Sequence, residues 1–220
     1  RAADILREAM YRGADEAVLL SDRAFAGADT LATSYALSTA VRKLGKFDIV
    51  LCGRQAIDGD TAQVGPQVAQ MLGLPQVTCV RRVLSMSDGV LVAERGIENG
   101  VEVVKASLPL LLTVEGAAAP CRPRNAYRML RFHRAATPSE QASEGYRYSS
   151  QAKSDEALCL KEWSLEYIGD ASRCGLSGSP TKVKKVENIV FRAKESKRYS
   201  SSDCDLKALV AELVENHTIG

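Results

Sequence analysis

The run Phe47-Asp48-Ile49-Val50-Leu51-Cys52 gives way at once to Gly53-Arg54-Gln55-Ala56-Ile57-Asp58-Gly59-Asp60-Thr61-Ala62-Gln63-Val64-Gly65, an abrupt change from apolar residues to glycine, acids and amides. The first part reads as a buried strand. Gly65-Pro66-Gln67-Val68-Ala69-Gln70-Met71-Leu72-Gly73 reads as a helix closed by glycine. A buried strand leading into a helix is half of a βαβ unit. The sheet is therefore expected to be mostly parallel, with the loop at the C-terminal end of its strand, where open α/β sheets hold their ligands.

Such a loop can cradle a nucleotide. Gly53, Gly59 and Gly65 allow tight turns and let backbone N–H groups approach a phosphate, and the helix start adds donors and partial positive charge. Asp58 and Asp60 cannot attract phosphate, so they are assigned to ribose hydroxyls, to backbone turns or, for Asp60 or Thr61, to capping the helix. Gln55 and Gln63 can hold adenine or ribose edges. The same composition also suits an Asp/Gly-rich βα turn with a helix cap and no ligand.

The residues from Gly53 to Gly65 resemble the G-x-Q-A-I-D-x-D signature of electron transfer flavoprotein β subunits. The resemblance extends through Met10–Ala17, Ser21–Thr30 and Cys174–Val183, and covers most of the chain outside residues 135–155. It implies a Rossmann-like fold of the adenine nucleotide α-hydrolase kind. It also implies that the loop comprising Gly53, Arg54, Gln55, Ala56, Asp58, Gly59, Asp60, Thr61, Ala62, Gln63, Val64 and Gly65 binds the adenosine and phosphate part of FAD or AMP. The wording from Asp58 to Gly65 is similar to the electron-bifurcating form, which holds a second FAD; simple carriers hold AMP. The partners so implied are an α subunit, an acyl-CoA or hydroxy-acid dehydrogenase and ferredoxin or flavodoxin, with NADH as donor. Members of the family carry a further N-terminal segment with a strand, so the chain is expected to be a fragment.

The chain has 220 residues, enough for one α/β core with an extension, and a net charge of only +2 gives no footprint for nucleic acid. Six cysteines, at 52, 79, 121, 159, 174 and 204, show no metal-ligand spacing and read as free cytosolic thiols. No metal site and no membrane span are expected, and the protein reads as soluble and cytoplasmic. His133 and His217 stand in no nucleophile–base pattern, and no GK[ST] phosphate loop is present. Catalytic side chains are therefore not expected; any redox chemistry belongs to the flavin.

Along the chain, Ala2–Met10 reads as a helix ending near Gly13. Ala17–Leu20 reads as a parallel strand delivering Asp22 and Arg23 to the ligand edge, either as nucleotide contacts or as a solvated pair. Asp29 and Thr30 can cap the helix that follows. Val77 to Val104 reads as a small antiparallel meander turning at Ser87-Asp88-Gly89 and Glu98-Asn99-Gly100, and Pro109–Val114 as a further buried strand. The arginines between Arg122 and Arg134 invite a phosphate, although a solvated basic helix accounts for their spacing; of the family's Asn-Glu-Pro-Arg pattern only Pro123-Arg124 is retained. Three regions follow: a nucleotide-binding domain at 1–134, a linker or insertion at 135–156, and a C-terminal strand, arm and helix at 157–220. In the last, Leu176, Ser177, Gly178, Ser179 and Pro180 form an extended partner-binding arm, followed by basic Lys182, Lys184 and Lys185 and an amphipathic stretch from Leu206 to Val214.

Overall fold

Leu110-Leu111-Leu112-Thr113-Val114 forms an interior strand of the larger sheet, and its pleat sends alternate side chains to opposite faces. Leu110 and Leu112 face a core with Val77, Val80, Leu91 and Ala93, while Leu111 packs with Val68 and Ala69 on the other side. The computed structural model describes residues 2–143, 158, 160–184 and 196–216. These divide into a unit extending to Lys182 and a C-terminal unit from Val183 onward.

The first unit opens with α1 (Ala2–Tyr11), β1 (Val18–Leu20), a 3-10 turn (Arg23–Phe25), α2 (Thr30–Leu44), β2 (Ile49–Gly53) and α3 (Val64–Leu72). Then come β3 (Gln76–Ser87), β4 (Val90–Ile97), β5 (Gly100–Ser107), β6 (Leu110–Val114), α4 (Ala126–Phe132), α5 (Pro138–Ala142), β7 (Lys161–Trp163), α6 (Leu165–Ile168), a 3-10 turn (Ala171–Arg173) and α7 (Gly175–Gly178). The fold is thus α/β. The five-stranded sheet has the order β2-β6-β3-β4-β5: β2, β6 and β3 are parallel, and β3, β4 and β5 form the expected antiparallel meander. β3 serves both halves. Its register with β6 shifts between Val77 and Val80 around Cys79, which has φ +56° and donates its N–H to Thr113 Oγ1 at 3.0 Å. The first hairpin turns through Asp88 and Gly89, both at positive φ, as a two-residue loop matched to strand twist requires.

Three features differ from the sequence reading. β1 does not join the larger sheet; it pairs in parallel with β7, from Val18 opposite Lys161 to Leu20 opposite Trp163. Residues 158–182 are therefore part of the first unit, and Trp163 and Ile168 bury against Ala40, Val18, Leu20 and Phe25. Finally, the segment expected as a linker begins inside the core. Ala135 and Ala136 are fully buried, and Thr137 starts α5 with a reciprocal capping box to Glu140. The physical reason is that small residues without an apolar period fill a tight space against α1, where Arg7 donates to Ala135 O at 2.7 Å. The remainder of the expected insertion, residues 144–156, lies outside the described residues, as do Cys159, Lys185 and His217.

The C-terminal unit holds α8 (Asp203–Glu215), started by Ser202, whose hydroxyl accepts from Asp205 N–H. Leu206, Val210 and Val214 recur every fourth residue and are each about half exposed, which gives this helix the apolar stripe read from its sequence. No helix among the described residues is long and apolar enough to cross a membrane.

Candidate functional site

The loop between β2 and α3 leaves the sheet beside the end of β6, where Arg54 N–H donates to Val114 O at 3.0 Å. Asp60 N–H returns to Ala56 O at 3.0 Å and closes a turn around Ile57-Asp58-Gly59, while the Gln55 side-chain amide donates to the Asp60 carboxylate. Asp60 and Ala62 hold φ of +50° and +54°. Aspartate tolerates that region better than alanine, and strain of this kind costs about 1–3 kcal/mol per residue. Ala62 is followed by Gln63 at φ −91°, ψ −27°. Successive residues of opposite hand are how short backbone segments turn their N–H groups toward a common point. The loop is open to solvent throughout Gly53–Thr61, with Ile57 98 % exposed at its tip.

The helix cap differs from expectation. α3 starts at Val64 with Gln63 as its N-cap, and no side chain caps it. Asp60 is committed to Gln55 instead, and the chain between Asp60 and Gln63 is too contorted by its two positive-φ residues for Asp60 or Thr61 to occupy the N-cap position. An uncapped N-terminus leaves backbone donors for an anion. Gln63 is engaged too: its Oε1 accepts from Thr30 Oγ1 at 3.1 Å.

The three glycines have separate roles. A Cβ on Gly53 or Gly59 would meet nothing within 4 Å, whereas one on Gly65 would stand 2.6 Å from Thr113 Cγ2 and 3.6 Å from Cys52 Cβ. Gly65 thus brings α3 close against β2 and β6, and it is buried. It packs the helix on the sheet, and the loop's open approach is left to the other two.

Asp22 lies elsewhere. Its Oδ1 accepts from Ala24 N–H at 3.0 Å and its Oδ2 from Leu165 N–H at 3.0 Å, so both oxygens fasten backbone. Those two hydrogen bonds lower its carboxyl pKa, Ala24 contributing most. Arg23 is exposed beside it, on a segment that enters from β1 rather than from the sheet bearing the loop.

The arm residues are anchored at a point the sequence did not mark. Asp29 Oδ1 caps α2 by accepting from Leu31 and Ala32 N–H, while Oδ2 accepts from the Thr181 N–H at 3.0 Å and hydroxyl at 2.8 Å. Asp29 N–H in turn donates to Ser179 Oγ at 2.8 Å, and that hydroxyl donates to Gly175 O at 2.7 Å. Burial pushes the Asp29 carboxyl up, but the donors from Ala32, Thr181 and Leu31 together bring it below its usual range. Asp29 and Thr30 were legible as a helix cap. Their partners lie 152 and 33 positions away, a separation for which local sequence carries no signal. The arm therefore sits on α2 one residue from Thr30, which holds the loop's Gln63. Ser177, Gly178, Ser179 and Pro180 line a cavity of about 310 Å³ together with Leu31, Tyr35 and Met71; Arg173 stacks 4.0 Å from the Tyr35 ring centroid, and Leu176, outside that lining, is 55 % exposed.

The electron transfer flavoprotein domain family matches residues 1–140. The chain belongs to that family. It is 40 % identical over 98 % of its length to the protein FixA of Bradyrhizobium diazoefficiens, covering 69 % of that relative. It is 38 % identical to the electron transfer flavoprotein subunit beta of Megasphaera elsdenii, over 97 % of this chain and 76 % of that one. It is also 41 % identical to the caffeyl-CoA reductase-Etf complex subunit CarD of Acetobacterium woodii, over 83 % of this chain and 61 % of that relative. As an electron transfer flavoprotein β subunit, the chain has its five-stranded sheet within the matched domain, while β7, α6, α7 and α8 lie beyond it. Among the described residues, no three of His, Cys, Asp and Glu converge as a metal site, and Cys52, Cys79, Cys121, Cys174 and Cys204 are free thiols.

Proposed function

We propose that this β subunit joins an α subunit in an electron carrier and holds FAD in the loop from Gly53 to Gly65, moving electrons between NADH, an acyl-CoA or hydroxy-acid dehydrogenase and ferredoxin or flavodoxin in the cytoplasm. The observation that carries the reading is the strained loop after β2, in which Asp60 and Ala62 hold positive φ ahead of an uncapped helix. Such strain persists where it serves a ligand.

The residues suit the adenosine and phosphate part of the flavin. Backbone N–H groups of Thr61 to Val64 would take phosphate, Gly59 would let it approach, and exposed Asp58 would accept from ribose hydroxyls. The bound flavin supplies hydride acceptance and one-electron transfer. The chain positions that group through the Thr30–Gln63 hydrogen bond and holds the partner arm through Asp29, so one helix end serves both. That CarD is a subunit of a caffeyl-CoA reductase-Etf complex supports a CoA-ester enzyme as the type of electron acceptor.

Cofactor content of the full-length assembly tests this directly. Two FAD per heterodimer with bleaching by NADH is the expected result; one FAD with released AMP and no response to NADH would replace the reading with a simple carrier using the loop as a structural clamp. Within it, Asp58→Ala and Gly59→Val are each expected to lower nucleotide content of the loop at least tenfold while leaving the melting temperature of the nucleotide-free protein unchanged. Gly59 has open space around it, so the valine meets ligand and not protein. Undiminished nucleotide in both variants removes the loop as the binding site.

A further inference from the structure

Arg12, Arg122, Arg124 and Arg128, from the end of α1, the loop before α4 and α4 itself, converge on one cleft of about 520 Å³. Sequence spacing left the arginines from Arg122 onward between a phosphate contact and a solvated basic helix, and gave no sign of Arg12, which lies 110 residues before Arg122. One carboxylate, Glu8, reaches two of the four. Glu8 pairs with Arg12, and its two oxygens also accept from Arg124 Nε at 3.0 Å and Nη2 at 2.8 Å. No other carboxylate reaches the cluster among the described residues. Arg128 is fixed by backbone oxygens, donating through Nε to Met10 O at 2.6 Å and through Nη2 to Ala14 O. Arg122 donates to Arg12 O at 3.4 Å and is exposed.

Gly13, which its φ of +114° favours as glycine, also lines the cleft, and a Cβ there would lie 2.9 Å from the mobile end of Arg122, Nη1. Four guanidiniums with one carboxylate leave three positive charges in excess along one cleft, which makes it attractive to an anion. Planar guanidinium forks match phosphate oxygens in pairs.

We propose that this cleft is a second anion site, distinct from the loop after β2, which takes a small molecule bearing two linked phosphates. A monophosphate carries about two negative charges near neutral pH, fewer than the excess here, whereas a diphosphate spans more than one arginine. The volume is that of a small-ligand pocket, and concavity favours a compact anion over a protein surface.

The test uses inorganic pyrophosphate as probe on the full-length protein in its native assembly, followed by calorimetry and by alkylation of Cys121, an exposed thiol whose sulfur accepts from Arg12 Nε at 3.1 Å. Pyrophosphate is expected to bind once, more tightly than inorganic phosphate, and to slow alkylation of Cys121 severalfold while leaving exposed Cys204 unaffected. Arg122→Glu should weaken binding at least tenfold and Arg122→Gln by less, with unfolding curves unchanged; Asp58→Ala should leave it intact, which separates this site from the nucleotide loop. Equal affinity in wild type and Arg122→Glu overturns the proposal. So does binding of a decaglutamate peptide without binding of pyrophosphate, which would make the cleft a docking surface for an acidic protein.

Discussion

Arg7→Ala is expected to destabilise the first unit by about 3–5 kcal/mol, the range for removing one member of a buried, hydrogen-bonded ion pair. Arg7 is 9 % exposed. Its Nη1 donates to Ala135 O at 2.7 Å and Glu140 Oε2 at 2.9 Å, and its Nη2 to Glu140 Oε1 at 2.7 Å and Asp4 Oδ1 at 2.9 Å. Alanine leaves a carbonyl on a fully buried residue and a partly buried carboxylate without their strongest donor, and it opens a cavity beside Ala3, Met10 and Phe132. Glu140 also accepts from Thr137 N–H at 3.1 Å, so the damage spreads to the start of α5. Denaturant titration should show a lower midpoint at unchanged slope. Arg7→Lys keeps the charge but not the fork and should recover part of the loss. A deficit below about 1 kcal/mol would mean the clasp is dispensable.

The same pair sets a pH dependence. The hydrogen bond from Arg7 holds the Glu140 carboxyl below its usual range; burial raises it and the Thr137 N–H lowers it again, with a net downward shift. A folded pKa below the unfolded value of about 4.3 gives stability that is complete above that value and is lost as pH falls through the folded pKa. The gap between wild type and Arg7→Ala should therefore narrow in acid, and a gap constant down to the acid transition would contradict the linkage.

Gly175→Ala is expected to displace the arm and weaken α-subunit association at least tenfold, at a folding cost of about 1–3 kcal/mol. Gly175 has φ +55°, and an added Cβ would lie 1.9 Å from Ala24 O, 3.0 Å from Ala24 C and 3.3 Å from Ala26 O. These are backbone atoms, which cannot rotate away as a side-chain tip can. Relief requires α7 to lift from the 3-10 turn, which pulls on the Gly175 carbonyl held by Ser179 and thereby on the Asp29 anchor. Gly59→Ala, with open space at its Cβ, is the matched control and should keep full association. Surface plasmon resonance against the isolated α subunit measures the effect. Wild-type affinity in Gly175→Ala would remove the arm as the docking element.

What the residues alone determined is local in origin. The β2–α3 loop, the Asp88-Gly89 hairpin, the Asp29 cap and glycine at the end of α3 all rest on neighbours within a few positions, where backbone preference and apolar period act directly. The motif from Gly53 to Gly65 carried the family for the same reason. What only the tertiary structure decided joins distant residues. β1 pairs with β7 rather than with the main sheet, Ala135 and Ala136 become core because Arg7 meets Glu140, Asp29 receives Thr181, and four arginines share one cleft. Small residues and charges have no period of their own, so their burial is set by whichever surfaces the folded backbone brings against them, and the cost of desolvating a charge is met only once its distant partner is in place.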